Sequence, residues 1–326
     1  MTRWLVTGGA GYIGAHVAEA LLAAGRDVVV LDDLSSGHRA FVPHGAELVE
    51  GSLLERATLE RALAGDVVGV VHLAGYKYAG ESVRRPLHTY RQNVTGTVEL
   101  LDAMRAAAVH RIVFSSSAGV YGSPDLDRVT ETTPTAPESP YGESKLVGEW
   151  LLDDERAAAA LDARPFAGVA LRYFNVIGSS SDRIRDTSPH NLVPKVLAML
   201  ADGRTPQING DDYPTPDGTN VRDYVHVADV ALAHVAAAAR LERDEPLEPV
   251  YNLGSGHGAS NRELMRAIAA ATGVAFDPVI APRRSGDPAA IVADGTLAAR
   301  DLDWRMRHTI DEMVASAWSA SQAASA

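Results

Sequence analysis

Near its start the chain passes from a short apolar run, WLV, straight into TGGAGYIGAHVAEALL, which carries glycines at positions 8, 9, 11 and 14. No other stretch restricts the fold so strongly. Leu5 and Val6 read as the end of a buried strand, and residues 13–22 bring apolar side chains round at helical spacing, so the glycines form a strand-to-helix turn. They fit both G-x-x-G-x-x-G, through Gly8, Gly11 and Gly14, and G-x-G-x-x-G, through Gly9, Gly11 and Gly14. Either way the turn is tight, the helix lies close to the strand, and the amides at the helix N-terminus are left facing an anion such as a pyrophosphate.

The second strand strengthens that reading. Its run, DVVVLD, ends at Asp32, about 20 residues beyond the turn. A carboxylate there accepts hydrogen bonds from both hydroxyls of an adenosine ribose and repels a 2′-phosphate, which selects NAD over NADP. The runs VVGVVHLAG, RIVFSSS and GVALRYFNV then alternate with helical segments, including a long amphipathic one over residues 81–108 and another over residues 141–160. Strands alternating with helices predict an α/β fold with a doubly wound parallel sheet and right-handed crossovers. After Asn175 the texture changes, with Ser, Asp, Pro and Gly frequent up to about residue 220, which marks a second, smaller domain.

Composition narrows the partners. The 326 residues carry a net charge of −12, and close basic pairs occur only at Arg84-Arg85 and Arg283-Arg284, so no nucleic-acid surface is expected. There is no cysteine, hence neither a disulfide nor a thiolate site. The histidines lack close ligand spacing, so no metal is predicted, and His72 reads as a core residue. No apolar run is long enough to span a membrane and no leader precedes the first strand, which predicts a cytoplasmic protein.

The chemistry concentrates in two stretches, FSSSAGVYG and SPYGESKLVGEW. Tyr141 and Lys145 are four apart and so lie one turn apart on the same helix face. A tyrosine is a poor base near neutrality, and a cation one turn away is expected to favour its phenolate. A serine hydroxyl from the preceding strand end is expected to share the hydrogen bond to a substrate alcohol.

Together with HLAGYKYAGESVRRP, NVTGT, LRYFNV, HNLVP, GDDYPTPDGTNVRDYVHV, YNLGSG and APRRSGDP, these motifs make the chain resemble the extended short-chain dehydrogenase/reductase family nearly end to end. Within it, the likeness is greatest to the UDP-glucose 4-epimerase branch. The resemblance implies a Rossmann-type NAD-binding domain over residues 1–176, with a returning segment at 223–255, and a smaller C-terminal α/β domain over 177–326 that holds a UDP-sugar. It implies that Tyr141 takes the proton of the sugar 4-hydroxyl, that Lys145 holds the nicotinamide ribose, and that Ser117 bridges the 4-oxygen. Hydride leaves carbon 4 and returns to its other face, with NAD as a bound catalyst. Cofactor contacts carry over to Gly8, Gly11, Tyr12, Ile13, Gly14, Asp32, Leu53, Leu73, Ala74, Gly75, Lys77, Asn93, Ser115 and Tyr173. Substrate contacts carry over to Lys77, Asn175, Asn191, Leu192, Arg222, Arg284 and Asp287. A homodimer built on the 81–108 and tyrosine helices is also implied.

Three positions bear on specificity. Ser52 stands where an aspartate is usual beside the adenine. Ile291 matches a position near the sugar ring, and Arg183 and Arg185 lie in a divergent loop where they are candidates to meet a uronate carboxylate. UDP-glucuronate and UDP-N-acetylglucosamine are therefore alternative substrates. Ala118 and Gly119, which cannot transfer protons, disfavour a dehydratase or decarboxylase.

Overall fold

A computed structural model describes residues 1–283 and 287–323. Its strands are, in chain order, β1 (Arg3–Thr7), β2 (Asp27–Asp32), β3 (Glu47–Glu50), β4 (Val67–His72), β5 (Arg111–Ser117) and β6 (Ala167–Tyr173). They continue with β7 (Asn175–Ile177), β8 (Gln207–Asn209), β9 (Val221–His226), β10 (Val250–Leu253), β11 (Gly258–Ser260), β12 (Val279–Ala281) and β13 (Ala290–Ile291). The helices are α1 (Tyr12–Ala23), α2 (Arg56–Ala62), α3 (Ala79–Arg84), α4 (Pro86–Tyr90), α5 (Gly96–Ala106) and α6 (Pro140–Leu161). After them come α7 (Leu192–Ala201), α8 (Val227–Glu242), α9 (Asn261–Thr272), α10 (Thr296–Asp301) and α11 (Ile310–Ala323).

Seven parallel strands make the main sheet in the order β10-β6-β5-β4-β1-β2-β3. Its central strands are apolar almost throughout because both faces are covered. On one face α1 and α8 bury Val17, Leu21 and Val230 against Trp4, Val6 and Val113. On the other, α2, α5 and α6 bury Leu59, Leu100, Met104 and Leu152 against Leu5, Ile112 and Phe114. The strand order reverses direction between β1 and β4, which opens a crevice at the carboxyl ends of the strands.

The remaining strands form a second unit. β9 is central to a small sheet with β7, β11 and β13, while β8 pairs with β12. Helices α7, α9 and α11 pack around Val196, Leu264 and Met313 beside it. The part of the chain that returns to the main sheet is α8 and β10, whereas residues 223–226, within the expected returning segment, belong to β9 of the small sheet. The expected long helix over 81–108 is broken: Pro86 starts α4, and a π-helical turn at Arg91–Thr95 precedes α5. Proline lacks the N–H that would continue α3, and a π-turn places one extra residue in the ring.

The glycine turn behaves as its spacing requires. Gly8 has φ +71°, and a Cβ on Gly14 would lie 2.1 Å from the Gly8 carbonyl oxygen, so α1 starts directly on the turn. Gly14→Ala is therefore expected to lower unfolding stability by about 1–3 kcal/mol through overpacking, read as a reduced urea midpoint. An unchanged midpoint would show that α1 can move away without loss.

Candidate active site

The crevice is a cleft of about 850 Å³, a size suited to a large organic ligand. Its floor on the β1–β2 side is the glycine turn, with Gly8, Gly11, Tyr12, Ile13 and Gly14 all on the lining. Tyr12 anchors this side to the small unit, its hydroxyl donating to the Gly178 carbonyl at 2.5 Å. Asp32 closes the end of β2. One carboxylate oxygen accepts from the Ala10 amide at 3.0 Å and the other from the Leu34 amide at 2.8 Å, which fixes the group in place with lone pairs to spare. Burial pushes this carboxyl up, and the two amides pull it back. Ser52 and Leu53 line the next part of the cleft, although the Ser52 hydroxyl already accepts from the Leu54 amide at 3.2 Å. Leu73, Ala74, Gly75 and Lys77, in the turn after β4, form the opposite wall.

Tyr141 and Lys145 enter from the first turns of α6, whose N-terminus is set by Ser139 accepting from the Gly142 amide at 3.2 Å and by Pro140 behind it. The Lys145 ammonium donates to the Ser115 carbonyl at 2.8 Å and lies 5.9 Å from the Tyr141 ring centre. Ser117 accepts from the Gly119 amide at 3.1 Å and hydrogen-bonds the Tyr141 phenol. Protonation departs from expectation. Burial pushes the Tyr141 phenol up, only partly offset by Ser117, and burial pulls the Lys145 amine down to about 8. Desolvation outweighs the attraction between phenolate and ammonium, because both charges leave water at once.

Three predicted contacts are not on the cleft lining: Asn93, Ser115 and Ser117, the last tied to it through its bond to the Tyr141 phenol. Ser115 is fully buried, with its hydroxyl bonded to the Tyr173 phenol, and only Tyr173 reaches the lining. Asn93, in the π-turn, does not face the cleft. Its amide accepts from the Tyr76 N–H at 2.6 Å and donates to the Tyr76 carbonyl at 3.0 Å and to Ser144 at 2.8 Å. That side chain is saturated by protein groups, so it ties the turn after β4 to α6.

On the small unit, Asn175, Asn191, Leu192, Arg222 and Asp287 all line the cleft. Asn191 donates to Asp186 at 2.6 Å, and Arg222 pairs with Asp287 at 2.6 Å while capping the Val221 and Pro288 carbonyls. Arg284 lies outside the described residues. Two specificity expectations fail. The Arg183 guanidinium caps the carbonyls of Ala40 and Val42 and pairs with Glu19 at 2.7 Å, so its loop is pinned to the main unit, and neither it nor Arg185 is on the lining. Ile291 is 8% exposed in β13, packed into the main core rather than the cleft.

The structure adds residues that no pattern singled out. Tyr76, Tyr78, His88 and His190 line the cleft mouth, with Tyr78 and His190 meeting from opposite units at a 4.7 Å ring separation. Tyr76, Tyr78 and His190 had only adjacency to Lys77 and Asn191 as a signal, and His88 had none. Among the described residues, no cluster of metal-ligating side chains occurs, and no helix is long and apolar enough to cross a membrane. His72 is a core residue, bonded to Thr7 at 2.7 Å and Thr97 at 3.0 Å.

Known proteins resemble this chain in sequence and fold. Residues 4–254 match the NAD dependent epimerase/dehydratase family. A UDP-glucose 4-epimerase of Erwinia amylovora is 44% identical, covering 96% of each chain. The crystal structure of a UDP-glucose-4-epimerase from Stenotrophomonas maltophila, with bound NAD and formylated UDP-arabinopyranose, superposes with a TM-score of 0.93 at 38% identity, covering 100% of this chain and 99% of that one. A UDP-glucose 4-epimerase from Bifidobacterium longum, in complex with NAD+ and UDP, superposes at 0.89 with 38% identity and 98% coverage of both. With a matching model over most of its length and such relatives over nearly all of it, the chain belongs to the NAD-dependent epimerase/dehydratase family.

Proposed function

We propose that this protein is an NAD-dependent 4-epimerase of UDP-hexoses that interconverts UDP-glucose and UDP-galactose through a 4-keto sugar. The observation that carries the reading is that one cleft holds the glycine cradle with its ribose-ready Asp32 and also Tyr141 and Lys145, with Ser117 bonded to the phenol beside the lining. The fit to a dinucleotide rests on the cradle, where a Cβ on Gly14 would fill the space against Gly8, and on the free lone pairs of Asp32. When bound, the nicotinamide supplies a hydride acceptor and, in its oxidised form, a positive charge in the same cleft.

The chain's own residues do the rest. Tyr141 removes the proton of the sugar 4-hydroxyl and later returns it to the 4-oxygen, with Ser117 holding that oxygen in line. Lys145 is pinned by Ser115 and presents its remaining N–H donors towards the nicotinamide ribose. Arg222 holds the diphosphate from the small unit, with Asp287 at the uridine ribose, as arginine suits by its planar fork. Ala118 and Gly119 follow the serine and offer no second acid for elimination. Leu87, Val98 and Trp150 are exposed on α4, α5 and α6, which supports a homodimer through this face.

Purified protein is expected to convert UDP-galactose to UDP-glucose, with Tyr141→Phe slowing turnover by about 10²–10⁴ while UDP binding persists. Near wild-type turnover of that variant would contradict the assignment. Lys145→Met should abolish turnover yet raise stability at pH 7 by about 1–2 kcal/mol, after allowing for the lost bond to Ser115. The folded amine titrates near 8 rather than at 10.5, so the native state holds fewer protons than the unfolded chain between those values. The gain is thus full below about pH 8 and fades towards 10.5, measured by denaturant titrations at several pH values. A loss of stability at neutral pH would refute it.

A further inference from the structure

Beneath the reacting group lies a charge pair that the proposed chemistry does not use. Glu149 stands one turn beyond Lys145, so Tyr141, Lys145 and Glu149 form a single stripe on α6. Each member meets a different rung of β5: Tyr141 the Ser117 hydroxyl, Lys145 the Ser115 carbonyl, and Glu149 the Ser116 hydroxyl. Glu149 is also gripped from β6 by Arg172, whose Nε donates to one carboxylate oxygen at 2.8 Å and whose Nη2 donates to the other at 2.6 Å. Both side chains are 5% exposed. In the sheet register Arg172 lies directly opposite Ser116, and its neighbour Tyr173 lies opposite Ser117. The remaining guanidinium nitrogen donates to the Tyr121 hydroxyl at 2.9 Å, and Tyr121 donates to Asn252 of β10 at 2.7 Å.

Burying two full charges is expensive, and an apolar pair of similar volume often serves stability as well or better. What an apolar pair lacks is direction. A two-point fork locks α6, β5 and β6 in one mutual register, and the fork is electrically neutral in sum. Resting on the roles proposed for Tyr141 and Lys145, we infer that Glu149 and Arg172 are positioning residues. Their fork sets the register that brings the phenol to Ser117 and the ammonium to Ser115, and their mutual cancellation leaves Lys145 as the ammonium that governs the field at the phenol. Other titratable groups face the assembly: His72 from β4, Tyr173 from β6, His234 from α8, and Tyr121 and Glu131 from the segment after β5. Of these, His72 is held neutral in the working range, since burial and Lys145 push it down to about 3.

The test uses holoenzyme carrying E149Q, the double variant E149Q/R172M, or R172K, each made with and without Tyr141→Phe. The difference in phenolate ultraviolet absorbance isolates Tyr141 from the other tyrosines, and pH–rate profiles are recorded in parallel. An arginine left alone cannot shed its proton, so E149Q adds an uncompensated positive charge near the phenol. Phenolate formation and the matching limb of the rate profile should both move down by about one pH unit, and the double variant should return them to the wild-type position. Titrations that coincide in wild type and E149Q, with only melting temperatures differing, would overturn the inference and leave the pair a structural brace. If E149Q does not fold, R172K decides: it keeps the charge but breaks the fork, and should lower kcat about tenfold at unchanged KM with the titration in place. An unchanged kcat would overturn the inference. Because the phenolate titration needs no turnover, its result stands apart from whether wild-type protein epimerises UDP-galactose.

Discussion

The site depends on how closely α6 can approach β5. A Cβ on Gly148 would lie 2.3 Å from the Phe114 ring, and one on Gly142 would lie 2.5 Å from the Gly119 carbonyl, so the helix is seated by residues that have no side chain there. That seating lets a lysine side chain reach the Ser115 carbonyl near the end of β5, and lets a phenol meet Ser117, the strand's last residue. The main sheet's parallel strands deliver the glycine turn and Asp32 to the crevice, and β9 of the small sheet brings Arg222 to the same crevice. Catalytic and binding groups are thus assembled by strand ends and one helix, not by long loops.

The electrostatics arise from that packing. The phenol and the amine both lose water, so burial alone favours their uncharged forms. Without a ligand, the site is biased against the phenolate. In the proposed reaction, positive charge from a bound oxidised cofactor would favour the phenolate. Ionic pairs elsewhere at the site, Arg222 with Asp287 and Arg172 with Glu149, each balance within themselves and so do not disturb this arrangement.

Much of this was legible in the amino-acid order. The strands at β1, β2, β4, β5 and β6 announce themselves as apolar runs because both of their faces are covered, and Tyr141 with Lys145 needs only helical spacing to be paired. Other features were hidden for physical reasons. β3, with the sequence ELVE, is flanked by charges and half exposed, and so carries no strand signal. Pro86 marks one break in the 81–108 helix, but the π-turn around Asn93 has no local signature. Asn93 was placed at the ligand by likeness and Arg183 by its loop's departure from it; their polar atoms are instead consumed by partners distant in sequence, Tyr76 and Ser144 in one case, Glu19 and the 40–42 turn in the other. The Glu149 and Arg172 pair joins residues 23 apart, a separation that no periodicity reveals.

The central claim is that hydrogen leaves carbon 4 as hydride and returns to the same carbon without escaping. UDP-galactose labelled with deuterium at carbon 4, converted by the purified protein in ordinary water with unlabelled NAD in excess, tests this directly by mass spectrometry of the UDP-glucose formed. The account predicts that the label is retained at carbon 4 of the product. Label lost to water, or collected in the free NADH pool, would contradict it.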